Sequence, residues 1–304
     1  MAAARGSQVL QIEGRDVSVS NLDKPLYPSG FTKGQVIDYY IRVSDCLLPH
    51  LAGRPITLKR YPDGVESAYF YEKDAPAFTP EWVHIAPVPR RKGGPDIRYV
   101  VVDDLPSLVW CANAASIEIH PFLHRAPEIE KPSYVVFDLD PGEGADVLTC
   151  AEVALLARKK LKSAGLESLA KVSGSKGIQV YVPLNSGVTY DVTRPYAKRF
   201  AEELEHEHPS LVVSAMAKAL RPGKVLVDWS QNADFKTTVG VYSLRAKRDR
   251  PYVSMPVEWR ELSAALKAKN AARLNLEPET ALKRLKKVSD LFAPVLSMKQ
   301  KIPR

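Results

Sequence analysis

Apolar residues recur at helical spacing in several parts of the chain. The first such pattern follows Thr32, where Gln35 three residues later completes a capping box and Val36, Ile37 and Tyr40 begin an apolar face. Further helices are predicted at 104–115, 146–163 and 193–206, and two helices rich in Lys and Arg at 258–274 and 277–291. These patterns predict six helices of ordinary length.

Short apolar runs between these helices are typical of strands. They fall at 56–60, 68–71, 116–120, 134–140, 170–173, 178–184 and 225–229. A Pro/Gly/Arg-rich stretch at 87–97 predicts a projecting loop. Because strands and helices do not alternate strictly, the pattern predicts an α+β fold with a mostly antiparallel sheet flanked by helices. No linker-like composition divides the 304 residues, so a single domain is expected.

Composition adds a prediction about partners and compartment. Apolar residues make up 45% of the chain, which is typical of a globular protein, and the formal net charge of +8 favours a polyanionic partner. The three cysteines lie far apart, which argues against a zinc ribbon or a disulfide framework and suits a reducing compartment. No run of ~18 apolar residues is present, so no membrane association is expected. A cytoplasmic, nucleoid-associated protein is predicted.

Carboxylates are the most informative chemical feature. Side chains alternate across a strand, so Asp138 and Asp140 share one face while Leu139 points into the core. Two such carboxylates suit Mg²⁺ or Mn²⁺, although Asp-x-Asp can also be a simple polar strand end. Asp228 follows a second apolar run at 225–227, and a third carboxylate favours a two-metal site.

A glycine-rich segment offers contacts for phosphate groups. Ser173-Gly174-Ser175-Lys176-Gly177 supplies small residues, backbone N–H groups and one cation. It is not a P-loop, because no helix is predicted to begin after Lys176. An ordinary hairpin turn explains the segment equally well.

These motifs together resemble a known family. The runs Phe137–Gly142, Ser173–Gly177, Val227–Asn232, Lys236–Thr238 and Tyr242–Arg245 occur in the order found in the polymerase domain of bacterial ligase D. That domain belongs to the archaeo-eukaryotic primase superfamily. The resemblance extends from about residue 21 to the C-terminal helices, and implies a primase-like catalytic core.

The resemblance implies roles for residues of the nucleotide site. Two metal ions, Mn²⁺ or Mg²⁺, are expected on the three aspartates Asp138, Asp140 and Asp228. The NTP or dNTP substrate is expected to contact His120, Ser173, Lys176, Gln179, Gln231 and Arg245. Many family members have histidine where this chain has Gln179. Glutamine can donate a hydrogen bond to a phosphate but cannot carry a positive charge.

The resemblance also implies a DNA-binding part at about 1–125, before the carboxylate-bearing part at about 126–304. A downstream 5′-phosphate is expected to bind at Asn21, Lys24 and Lys33, with Lys59 also on the DNA side. Stacking on template bases is expected from Phe70 and Tyr71. The loop containing Arg90 and Arg91 is expected to help bring two DNA ends together.

The predicted function is therefore template-directed nucleotide addition to 3′ ends at double-strand breaks and gaps in non-homologous end joining. Ribonucleotides are expected to be preferred. The expected partners are DNA ends, gapped duplexes with a 5′-phosphate, a Ku-type end-binding protein and a DNA ligase. Two alternatives remain open: a free-standing gap-filling primase-polymerase of excision repair, and a catalytically silent module that binds DNA ends. The chain is expected to be either a free-standing polymerase or the polymerase portion of a longer ligase.

Overall fold

The computed structural model describes residues 6–303. Its strands are β1 Ser7–Ile12, β2 Arg15–Ser20, β3 Pro55–Arg60, β4 Phe70–Glu72, β5 Ile85–Val88, β6 Ile97–Val101, β7 Ser116–Pro121, β8 Tyr134–Pro141, β9 Leu169–Val172, β10 Ile178–Pro183, β11 Val212–Val213, β12 Val225–Asp228, β13 Leu244–Arg245, β14 Tyr252–Val253 and β15 Pro256–Val257. The helices are α1 Lys33–Leu51, α2 Leu105–Asn113, α3 Val147–Ser163, α4 Tyr190–Glu207, α5 Trp259–Lys267, α6 Pro278–Val288 and α7 Pro294–Ser297. None of these helices is long and apolar enough to cross a membrane.

Two sheets make up most of the strand structure. The larger has six strands in the order β11-β12-β8-β10-β9-β15, and all its pairs are antiparallel except β11 with β12. The smaller is built around β3, which pairs with β7 on one edge and with β4 and β6 on the other. Separate hairpins form from β1 with β2 and from β13 with β14. The predicted α+β class with a mostly antiparallel sheet is confirmed.

The middle strand of the larger sheet, β8, separates the core from a polar face. Phe137 and Leu139 are fully buried, on the side where α3 and α4 pack. The Phe137 ring packs against the Phe200 ring of α4 with ring centroids 4.5 Å apart. Because side chains alternate along a strand, Asp138 and Asp140 point to the opposite side of the sheet. Burial of the apolar side thus fixes the direction of both carboxylates.

Several element boundaries differ from those predicted. The helix predicted at 258–274 ends at Lys267, because Lys269 takes a positive φ of 50° and Asn270 caps a separate 3₁₀ turn at Ala271–Leu274. The hairpin β1-β2 was not predicted; its turn is Glu13-Gly14, both with positive φ. The loop predicted at 87–97 is the connection between β5 and β6, which pair up to Val88 and Ile97.

The turn after β8 packs directly against the segment between β11 and β12. The Gly142 amide donates to the Lys224 carbonyl at 2.8 Å, and the Gly223 amide donates to the Glu143 carbonyl at 2.6 Å. A Cβ placed on Gly142 would lie 1.9 Å from the Arg221 carbonyl oxygen, so only glycine allows this approach. The contact links the strand carrying Asp138 and Asp140 to a segment carrying further cations.

Substitution of Gly142 tests this contact. We expect Gly142→Ala to lower stability by roughly 1–3 kcal/mol through overpacking, and the melting temperature by several degrees. Gly165→Ala is the matched control, since Gly165 has φ +77° but no atom within 4 Å of an added Cβ, and its cost is conformational only. Equal or larger loss in the control would show that the contact to Arg221 contributes little.

Candidate active site

Three carboxylates come together through strand register. On β8, Asp138 lies opposite Asp228 of β12 and opposite Gln179 of β10, and Asp140 lies two residues further along the same face. Asp228 is largely buried at 8% exposure. Its two oxygens accept from the Ser230 amide at 2.8 Å and from the Gln231 side chain at 3.0 Å. The predicted trio therefore lies on neighbouring strands, with Asp228 held by its own turn.

The carboxylates repel one another inside the fold. Burial and then the charge of Asp140 raise the pKa of Asp138 to about 7, and Asp228 adds to this effect. Burial and Asp228 likewise raise the pKa of Asp140. Such groups suit a divalent cation, since it would relieve the repulsion. Residues 6–303 contain no group of three or more His, Cys, Asp or Glu side chains arranged to hold a metal ion.

Lys171 extends the same row and was not predicted as a site residue. It pairs with Gln179 in the β9-β10 register, so Lys171, Gln179, Asp138 and Asp228 form one line across four strands. Lys171 is fully buried and donates to the Ser254 hydroxyl at 2.7 Å. Burial lowers the pKa of Lys171, and Asp138 opposes this. The available sequence signal was a lysine within an apolar strand.

Gln179 stands between Lys171 and Asp138 in a hydrogen-bonded network. Its amide donates to the Thr238 hydroxyl at 2.8 Å, and its oxygen accepts from the Tyr181 hydroxyl at 3.2 Å. A hydrogen bond from Gln179 also works against the increase in the pKa of Asp138. Glutamine can serve as donor and acceptor here without changing charge with pH.

The glycine-rich segment is the turn between β9 and β10. The Ser173 hydroxyl accepts from the amides of Ser175 and Gly177 at 3.3 and 3.1 Å, which closes the turn. Arg245 donates to the Ser173 carbonyl at 2.8 Å. No helix follows, as expected for a segment that is not a P-loop. Lys176 lies in the wall of the adjoining cleft.

A cleft of about 830 Å³ joins the carboxylates to this turn. Its size is in the range typical of small-molecule sites. Asp138 and Asp140 lie in its wall with His120, Ser173, Gln179 and Gln231. Six cationic side chains also line it, namely Lys176, Lys218, Arg221, Arg245, Lys247 and Arg248. Four of these, Lys218, Arg221, Lys247 and Arg248, were not predicted, although Lys247 and Arg248 follow Arg245 closely in sequence.

Aromatic side chains border the cleft at β4. Phe70 and Tyr71 are exposed by 57% and 56%, and Tyr71 lies in the cleft wall with its ring 6.3 Å from that of His120. Tyr69 and Phe78 are also exposed, at 50% and 56%. Exposed aromatic rings beside a cationic cleft are suited to stacking on nucleic-acid bases.

Lys59 lies in a different environment from the one expected of a DNA contact. It is only 2% exposed, and its ammonium lies 3.4 Å from Glu118. The rings of Tyr61, Tyr69 and Tyr71 surround it at 5.1, 4.4 and 5.3 Å. Lys59 therefore supports the aromatic surface from below, and direct contact with DNA stays a prediction.

The residues predicted to bind a 5′-phosphate lie away from the carboxylate cleft. The Lys33 amide donates to the Lys24 carbonyl at 2.9 Å, so the turn between them brings the two lysines together. Lys24 forms an ion pair with Asp63 at 2.9 Å, whereas Lys33 is 6% exposed and has no carboxylate within 4.0 Å among residues 6–303. Burial, Lys24 and Arg60 lower the pKa of Lys33 to about 8.

A cleft of about 550 Å³ adjoins Lys24. Its wall includes Asn21 and Lys24, with Gly6, Gln8, Leu22 and Asp23. Asn21 has a positive φ of 54° and its carbonyl accepts from the Lys24 amide at 3.0 Å. This cleft and the carboxylate cleft have no lining residue in common.

The loop between β5 and β6 bears two of the predicted DNA contacts. The Arg90 guanidinium donates to the Pro95 carbonyl at 2.8 Å, within the loop itself. The Arg91 guanidinium lies 4.1 Å from the centre of the Phe235 ring, in the segment that follows Asp228. Neither arginine lines the carboxylate cleft.

The fold is that of a primase-polymerase domain. Residues 32–292 match the family model described as LigD, primase-polymerase domain. The chain belongs to this family, which implies that it is a nucleotidyltransferase. The predicted resemblance is thereby confirmed.

Individual relatives agree with this assignment. The chain is 38% identical over 282 residues to the multifunctional non-homologous end joining protein LigD of Mycolicibacterium smegmatis, covering 92% of this chain and 36% of that protein. It is 33% identical over 250 residues to the bifunctional LigD of Bacillus subtilis, covering 81% and 39%. The chain thus spans little more than a third of the length of these curated relatives.

A solved structure is also similar. The polymerase domain from Mycobacterium tuberculosis ligase D in complex with DNA superposes with a TM-score of 0.85 at 39% identity. The match covers 93% of this chain and 99% of that domain.

Stability in the absence of metal should depend on the charge of Asp138. Its pKa is about 7 in the fold against 3.8 for an unperturbed carboxyl, so the folded state retains a proton that the unfolded state releases between these values. Stability should therefore fall as pH rises through this window. In chelator, we expect Asp138→Asn to raise the melting temperature at about pH 8 and to change it much less at about pH 5. Asp45→Asn, at an exposed position on α1, serves as control. A gain independent of pH would contradict this.

Proposed function

We propose that this chain adds nucleotides, directed by a template, to 3′ ends at DNA double-strand breaks and gaps during non-homologous end joining. The observation that carries the proposal is the row of carboxylates facing a cation-lined cleft, in a chain of the LigD primase-polymerase family. The relatives' names associate that family with end joining. A duplex end or gap carrying a 5′-phosphate is the proposed DNA substrate. A Ku-type end-binding protein and a DNA ligase are the proposed partners, in the cytoplasm at the nucleoid.

The proposed cofactors are two divalent cations, Mn²⁺ or Mg²⁺, held by Asp138, Asp140 and Asp228. The donor set fits hard cations, since it consists of carboxylate oxygens whose mutual repulsion a cation would relieve. Bound there, such ions supply activation of a 3′-hydroxyl and charge stabilisation at the leaving pyrophosphate. The chain itself must free Asp228 from its hydrogen bond with Gln231 if both oxygens are to serve as ligands.

The nucleotide is proposed to lie between the carboxylates and the turn of residues 173–177. Lys176 and Arg245 bring positive charge to the phosphates of the nucleotide, and His120 and Gln231 line the same part of the cleft. Ser173 acts chiefly by closing the turn, because its hydroxyl accepts hydrogen bonds from two backbone amides of the turn. We also propose a preference for ribonucleotides, which follows from the family resemblance. A silent DNA-binding module is disfavoured, because three repelling aspartates weaken both folding and phosphate binding unless a cation is bound.

Loss of one carboxylate tests the metal assignment. We expect Asp228→Asn to reduce nucleotide addition below about one hundredth of the wild type, since a bound cation supplies several kcal/mol of charge stabilisation. The assay is extension of a labelled primer on a gapped duplex with Mn²⁺, run with ribonucleotides and deoxynucleotides in parallel. Binding of the same duplex should be unchanged or slightly tighter.

The matched control is Asp234→Asn. Asp234 follows the same strand by a few residues but lies in the wall of a different cleft, beside Arg91. It should retain near-normal extension. Near-normal extension by the Asp228 variant would remove the two-metal assignment.

The proposed 5′-phosphate pocket predicts a selective loss of binding. A charge-assisted contact is worth ~1.5–3 kcal/mol, or roughly tenfold to a hundredfold in affinity. We expect Lys24→Ala to weaken binding to a gapped duplex by this amount when the downstream 5′-phosphate is present, and almost not at all when it is absent. Fluorescence anisotropy with matched duplexes gives both values. Lys33→Ala should behave in the same way, because the lysines are adjacent.

The control for this pair is Lys131→Ala, since Lys131 is exposed and pairs with Glu128. It should not distinguish the two duplexes. If Lys24→Ala weakened binding equally with and without the phosphate, Lys24 would be a general backbone contact.

A further inference from the structure

Glu118 is a buried carboxylate surrounded by basic groups. It lies on β7 and is fully buried, yet three basic side chains approach it within 3.4 Å. These are Lys59 of β3, His120 of β7 and Arg245 of β13. The sequence offered no reason to select Glu118, because a glutamate in a strand is usually a solvated residue.

The two oxygens of Glu118 face different parts of the site. Oε1 accepts from the Ala246 amide at 3.1 Å, from the Tyr61 hydroxyl at 3.4 Å and from Lys59 at 3.4 Å. Oε2 lies 2.9 Å from His120 Nε2 and 3.2 Å from Arg245 Nε. Oε1 thus contacts Lys59 and Tyr61, which lie beneath the exposed tyrosine rings. Oε2 contacts His120 and Arg245, which line the cleft.

We propose that Glu118 is a positioning residue that keeps His120 able to donate a hydrogen bond to a nucleotide phosphate. The inference deepens the proposed function and rests on it for the identity of the ligand. It assigns Glu118 no contact with the nucleotide, since the carboxylate is buried behind His120 and Arg245.

The argument rests on the two nitrogens of the imidazole. An ionised carboxylate only accepts hydrogen bonds, so the nitrogen facing Glu118, Nε2, must carry a proton. The other nitrogen, Nδ1, then accepts in the neutral ring and donates only in the imidazolium. His120 therefore donates to a phosphate from Nδ1 only when it holds both protons. Glu118 stabilises that doubly protonated form.

Other groups around His120 act in the opposite sense. Burial lowers the pKa of His120, Arg245 and Lys59 lower it further, and Glu118 raises it. Tyr71 of β4 lies edge-on to the ring. The net result is a pKa below the ordinary value, so the free site holds mostly neutral His120 at neutral pH. A triphosphate would stabilise the imidazolium, and its binding should therefore take up a proton.

Calorimetry of nucleotide binding tests this directly and requires no catalysis. The full chain, without DNA, is first equilibrated with excess Mg²⁺, so that any proton the metal displaces from Asp138 is released beforehand. ATP with Mg²⁺ is then titrated into it in buffers of different ionisation enthalpy, so that the heat reports the protons exchanged. We expect wild-type protein to take up about one proton near neutral pH, and affinity to decrease as pH rises. Glu118→Gln should take up almost none and bind roughly tenfold to a hundredfold more weakly.

Glu118→Gln distinguishes the loss of a hydrogen-bond donor on His120 from a general effect of charge on nucleotide binding. Glu118→Gln removes one negative charge. His120 then no longer gains a proton, so one positive charge is lost as well. The net charge facing the bound phosphates is therefore the same in the wild type and in the variant. A loss of affinity therefore measures the lost donor. Glu261→Gln is the matched control, because it removes the ion pair between Glu261 of α5 and Arg284 of α6, away from the cleft. It should leave proton uptake and affinity unchanged.

A second variant keeps the test decisive if Glu118→Gln fails to fold. His120→Asn should also abolish proton uptake, and the double variant should bind no more weakly than either single variant, as for partners in one contact. Proton uptake that persists in His120→Asn, or a folded Glu118→Gln with wild-type uptake and affinity, would overturn the proposal. Primer extension is measured separately: normal uptake without extension would contradict the proposed function while leaving the role of Glu118 intact.

Discussion

Repulsion between like charges inside a folded sheet is the constraint on which this site depends. Asp138, Asp140 and Asp228 share one polar face, and burial followed by their mutual repulsion raises the pKa of Asp138 and of Asp140. The sheet overcomes this repulsion because the opposite face of β8 is buried, where Phe137 and Leu139 pack beneath α3 and α4. Hydrophobic burial on one side therefore supplies the free energy that keeps the carboxylates together on the other.

One buried residue of opposite charge accompanies each half of the cleft. Lys171 continues the line of Gln179 and Asp138 across the sheet. Glu118 lies among the basic groups that border the nucleotide side. A buried charge without a partner is costly, so each residue both offsets its neighbours and fixes their positions. Arg245 joins the two arrangements, since it contacts Glu118 and donates to the Ser173 carbonyl.

The proposed DNA-binding surfaces lie on the smaller sheet and the first helix. Lys59 on β3 supports the exposed tyrosine rings from below, while Phe70 on β4 remains open to solvent. Lys33 begins α1, and the preceding turn brings it beside Lys24. The residues proposed for base stacking and for phosphate binding thus lie on separate elements. This separation allows the phosphate pocket and the nucleotide cleft to be tested independently.

The sequence by itself determined the α+β pattern, the capping box of α1 and the shared direction of Asp138 and Asp140, because helix and strand periodicity are local properties. Family resemblance added His120 and Arg245. Only the tertiary structure decided that Lys59 is buried under tyrosines, that Lys171 aligns with Gln179, and that Glu118 lies between basic side chains. These outcomes depend on the register and packing of strands far apart along the chain, and a local pattern of apolar and polar residues contains no information about which distant strand becomes a neighbour.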